Sequence, residues 1–106
     1  MTAQEYLAEV LRTYVGSPDR KEKLTLAALG LTGEAGEVAD HIKKALFQGH
    51  KIDSLHLLEE LGDVLWYVTL AARAIDFNLN DVMEYNVQKL RKRYPNGFDS
   101  ERSNNR

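Results

Sequence analysis

Apolar residues recur at helical spacing along most of this chain, and no stretch alternates in the manner of a strand. Tyr6, Leu7, Val10, Leu11 and Tyr14 predict a first helix over about Ala3 to Val15. Leu24, Ala28, Leu31, Ala35, Val38, Ile42 and Leu46 form the stripe of a long second helix. Ser17 reads as its N-cap, Pro18 as its first helical residue and Gly49 as its stop, so it spans Pro18 to about Gln48. Leu57, Leu61, Val64, Leu65, Val68, Ala72 and Ile75 mark a third helix, capped by Asp53 or Ser54 and running to about Ile75. Leu79, Val82, Met83, Leu90 and Tyr94 mark a fourth, capped by Asn78 or Asn80 and ended by Pro95. Residues 99–106 are polar and lack periodicity, which predicts a mobile tail behind a single helical domain over 1–98.

Two features complicate this four-helix picture. Gly30, Gly33 and Gly36 lie inside the second helix. Each costs up to about 1 kcal/mol relative to alanine, so they either weaken the helix or mark close packing. On the third helix, Trp66, Leu70 and Ala74 fall away from the main stripe, so its second half is apolar nearly all round. One small bundle cannot easily cover both sides, and the expectation is an all-α bundle completed by oligomerisation.

Against this background the acids stand out. Glu34 and Glu37 form an E-x-x-E pair, and Glu60 and Asp63 an E-x-x-D pair. Three-residue spacing sets both members of a pair on one side of a helix, about a turn apart. Both pairs fall at the edges of apolar stripes, so they meet at the seam if the stripes pack together. Such pairs are repulsive: two carboxylates about 4 Å apart repel by roughly 4 kcal/mol at an effective dielectric of 20. Solvated face charges are the bland reading, but they give no reason for doing this twice. A cation does. Carboxylates without an E-x-x-H partner or thiolates favour Mg²⁺ or Mn²⁺ over zinc or di-iron.

His41 and His56 lie on the same sides as the acids and are candidates for supporting contacts, whereas His50 sits in an exposed turn. On the fourth helix, Asn86, Lys89 and Arg93 lie near the apolar stripe. They suit phosphate oxygens or, equally, snorkelling cations at a helix end.

Composition narrows the classes. The chain of 106 residues contains no cysteine, which excludes disulfides and thiolate chemistry. Its net charge of −2 gives no basic excess for nucleic-acid binding. No apolar run reaches membrane-spanning length, and Met1 to Arg12 is amphipathic rather than signal-like. A cytoplasmic protein without membrane or nucleic-acid partners is expected.

The motifs in context resemble the MazG-like branch of the all-α nucleoside triphosphate pyrophosphohydrolases. The resembling segments are Leu29 to Val38 around the first acid pair, Glu59 to Tyr67 around the second, and Asn86 to Pro95, with 22 residues separating Glu37 from Glu60. Gln4 to Thr13 is similar to the family's first helix. The resemblance implies Mg²⁺-dependent hydrolysis of a nucleoside triphosphate to monophosphate and pyrophosphate, with Mn²⁺ as an alternative ion. It implies that Glu34, Glu37, Glu60 and Asp63 hold the metal, and that Asn86, Lys89 and Arg93 contact the substrate. A homodimer or homotetramer is implied too. Glu37, furthest from its stripe, is the candidate general base. The competing expectation is a catalytically inactive helical module that binds nucleotide or metal, or serves in oligomerisation.

Overall fold

The computed structural model describes residues 1–105 and contains α1 (Ala3–Thr13), α2 (Arg20–Phe47), α3 (Ser54–Ala74), α4 (Leu79–Arg93) and α5 (Ser100–Asn104). There is no strand among the described residues, so the all-α expectation holds. Nor is any described helix long and apolar enough to cross a membrane.

The ends of the elements follow from side chains that satisfy free N–H groups. Thr2 and Glu5 form a reciprocal capping box on α1, and Asn78 and Asp81 form another on α4. Asp53 caps α3 by accepting from the N–H groups of Leu55 and His56. The start of α2 differs from the sequence expectation. The Ser17 hydroxyl accepts from the Asp19 N–H at 3.0 Å and so belongs to a turn. Asp19 caps the helix instead, through Glu22 N–H at 3.0 Å. Pro18 therefore lies before the helix, not inside it. Within the polar C-terminal segment, Asp99 caps the short α5. Arg106, the last residue of that expected tail, lies outside the described residues.

Helices α2 and α3 form the frame. Gly30 meets Tyr67, Glu34 neighbours Glu60, and His41 packs against His56, so the two helices run antiparallel. A Cβ at Gly30 would overlap the Tyr67 ring, whereas one at Gly33 or Gly36 would meet nothing within 4 Å. Of the three glycines inside α2, only Gly30 marks close packing within the chain. Gly30→Ala is therefore expected to destabilise by about 1–3 kcal/mol through overpacking, even after a helix-propensity gain of up to about 1 kcal/mol. Urea midpoints compared with Gly33→Ala, which has open space, check this. Equal midpoints would contradict the close packing.

The α1 helix lies across this hairpin. Val10, Ala27 and Leu70 form the buried cluster, with Tyr6, Tyr14, Trp66 and Ala71 packed around it. Trp66 donates from Nε1 to the Thr13 hydroxyl at 2.9 Å. This corrects the reading of α3. Trp66 and Leu70 pack against the chain's own α1, and Leu70 and Ala74 are already buried within one chain. Leu61, Leu65 and Ile75 of the expected core stripe remain exposed. Periodicity identifies apolar arcs on a helix but does not say which neighbour covers each one.

Candidate metal centre on the α2–α3 hairpin

The close approach at Gly30 sets the register that builds the site. One turn further along α2, Glu34 faces Glu60 and Asp63 of α3. Their carboxylates each offer an oxygen such that all three oxygens lie within 4.8 Å of one another. Glu34 and Glu60 are half-buried and Asp63 is exposed.

Electrostatics make this cluster unstable by itself. The Glu34 carboxyl is held above the usual glutamate range, first by direct contact with the Glu60 carboxylate, then by partial burial and the charges of Asp63, Glu60 and Glu37. Glu60 Oε2 is buried without a hydrogen-bond partner. A buried acceptor left unpaired costs about 1–3 kcal/mol, and more when charged. The oxygen-only donor set, the shared negative charge and the orphaned oxygen all fit a hard divalent cation.

Glu37, the fourth expected acid, stays outside the three-carboxylate group. Its charge acts on Glu34 from one side and on Lys44 from the other. Lys44 in turn pairs with Asp40 at 2.8 Å, and Lys43 reaches the same carboxylate at 3.2 Å. These contacts hold the Asp40 carboxyl below its usual range and the Lys44 ammonium above its own. Glu37 thus has a cation nearby.

The two histidines have different roles. His56 Nε2 lies 3.3 Å from Glu60 Oε1, one turn away on the same helix. His41 instead accepts from the Asp53 backbone N–H at 3.0 Å and packs against His56 with the rings tilted by 38° and centroids 5.3 Å apart. His50 is exposed, as expected. Tyr6 was not singled out by the sequence reading. From α1 its hydroxyl reaches the Gly62 carbonyl at 3.4 Å. Burial and then the charge of Asp63 raise its pKa. Nothing local in the sequence signals this, because Tyr6 also belongs to the apolar stripe of α1.

The α4 residues are placed apart from the acids. Asn86 and Lys89 are exposed and line a groove of about 730 Å³ together with Ile75, Phe77, Val82 and Tyr85. None of the four acids is part of that lining. Arg93 lies one turn beyond Lys89, is half-buried, and accepts at its carbonyl from Arg102. The helix that carries them packs on α1 and α3.

The family model for the MazG nucleotide pyrophosphohydrolase domain matches residues 22–98, which contain both acid pairs and all of α2 to α4 except the first two residues of α2. The Gene 37 protein of Mycobacterium phage L5 is 37% identical over 95 residues, covering 86% of this chain and 83% of the phage protein. No solved structure matches.

Proposed function

The chain belongs to the MazG nucleotide pyrophosphohydrolase family, and on that premise we propose that it hydrolyses a ribo- or deoxyribonucleoside triphosphate to the monophosphate and pyrophosphate in a Mg²⁺-dependent reaction. Mn²⁺ is the alternative ion. The role is nucleotide-pool housecleaning in the cytoplasm. One observation carries the reading above the others. Three carboxylates converge within 4.8 Å, and one of them keeps a buried oxygen without a partner.

In this mechanism Glu34, Glu60 and Asp63 would hold the cation, which when bound would supply Lewis-acid stabilisation of the phosphate charge. Glu37 is the general base. It stands beside the cluster without joining it, so its carboxylate is free to take a proton from the attacking water. The water oxygen bonds to the α-phosphorus, the bond from that phosphorus to the bridging oxygen breaks, and pyrophosphate leaves. Asn86, Lys89 and Arg93, set apart from the acids within one chain, would hold the phosphates and sugar. Charge-assisted contacts from lysine and arginine are strong enough to orient them.

The active form is a homodimer or homotetramer. The accessible surface is 8104 Å², whereas a compact monomer of 12.1 kDa exposes about 6,000 Å². The radius of gyration is 16.7 Å against about 13 Å for a compact domain of this length.

The test is pyrophosphate release from a panel of ribo- and deoxyribonucleoside triphosphates with Mg²⁺. At least one nucleotide should turn over. Glu37→Gln should lower its kcat by about 100- to 10,000-fold, the usual worth of a positioned base, while Mn²⁺ still binds. Normal turnover by this variant would remove Glu37 from the base role. Release from no nucleotide would leave the chain a binding module.

A further inference from the structure

We propose that His56 is a positioning residue for Glu60, fixing one carboxylate oxygen so that the other is presented to the cation. The inference rests on the metal reading above and extends it by one shell. Glu60 is a long side chain with three rotatable bonds, and an unrestrained glutamate is a poor preformed ligand. Its two oxygens have unlike surroundings. Oε1 lies 3.3 Å from His56 Nε2, and Oε2 is buried with no protein partner. The Glu60 side chain is only 13% exposed, so few other orientations are open to it.

His56 is itself held. Its backbone N–H is one of the two that Asp53 caps at the start of α3. Its ring packs, tilted, against His41 of α2. His41 accepts from the Asp53 N–H at 3.0 Å, tying the loop back to α2. The path from α2 through the helix cap to the imidazole is thus short and built from directional contacts. A neutral imidazole carrying its hydrogen on Nε2 would have Oε1 3.3 Å from that nitrogen, so the role requires no titration. Imidazole–carboxylate contacts of this kind are how supporting residues orient ligands in metal sites.

Mn²⁺ binding, measured by calorimetry and by the electron paramagnetic resonance of the ion, tests this without turnover. His56→Ala should weaken Mn²⁺ affinity by about 10- to 100-fold, the usual effect of losing a supporting contact. His56→Gln sets an amide N–H near the place of Nε2 and should recover most of that loss. A structural role for the ring alone would give no such rescue. Circular dichroism of both variants checks that the helices persist. Unchanged affinity in His56→Ala, with affinity lost in Glu60→Gln, overturns the positioning role and leaves the metal reading standing. No rescue by glutamine likewise overturns it. Absence of Mn²⁺ binding by the unaltered chain overturns both.

Discussion

Asp63→Asn is expected to lower pyrophosphate release by about 100-fold or more and at the same time to raise the melting temperature of the metal-free protein. Both effects come from one charge. A cation's stabilisation of a phosphoryl transition state is worth several kcal/mol, and each 1.36 kcal/mol is tenfold in rate. Asparagine keeps the size of aspartate but is a weaker, neutral ligand, so much of that stabilisation goes. Without a cation, however, Asp63 is one of the charges that repel Glu34. Removing it relieves the folded state. The sign with pH follows from the raised Glu34 pKa. In the metal-free protein, Glu34 contributes stability that is fully present below the ordinary glutamate pKa. That contribution is lost as pH rises through the higher folded-state value. Melts in chelator across mildly acidic to neutral pH should therefore show the wild type losing stability as pH rises. Asp63→Asn should show a shallower loss, and saturating Mn²⁺ should abolish it in the wild type. If Asp63→Asn melted lower than the wild type without metal, the cluster would not be the strained element described here.

The candidate site was more legible in the sequence than the packing that supports it. Acid pairs at three-residue spacing fall on one side of any helix, so Glu34, Glu37, Glu60 and Asp63 were expected at one seam; three of them meet there, and Glu37 stays outside the group. Gly30 carried a usable signal as well, because an interior helix glycine is costly unless something needs the space. Gly33 and Gly36 carried the same signal, yet within one chain they face open space. The rotation of α3 was not legible. It presents apolar residues on several arcs, and which arc meets α1 depends on tertiary contacts such as Trp66 with Thr13. Two side chains near the acids illustrate the limit. His56 is one turn from Glu60, so periodicity alone nominated it. Tyr6 lies 56 positions from Gly62 along the chain, and no local rule connects them.

The same rotation moves the argument for assembly to another surface and yields the second large prediction. On the side of α3 thought to need a partner, Trp66 and Leu70 pack against α1. The unfilled apolar surface lies on the first half of α3, where Leu55, Leu58, Leu61 and Leu65 fall on one face. Leu58 is 65% and Leu61 53% exposed. The surface in excess of a compact monomer, about 2,000 Å², exceeds the roughly 800 Å² per partner of a standard interface. Leu29 on α2 is exposed as well. Wild-type protein should therefore sediment at a multiple of 12.1 kDa and melt at a temperature that rises with concentration. Leu58→Asp removes a leucine worth about 1.5–3 kcal/mol when buried. In a two-fold interface the loss occurs twice, so dissociation should strengthen by about 100- to 10,000-fold, before counting the cost of a buried charge. Sedimentation velocity at micromolar concentration reads the result as a shift toward monomer. Pyrophosphate release measured on the same samples then tells whether the three-carboxylate site, which lies wholly within one chain, works without its neighbour. A wild-type chain that sediments as a monomer at every concentration would remove the assembly from this account while leaving the metal centre untouched.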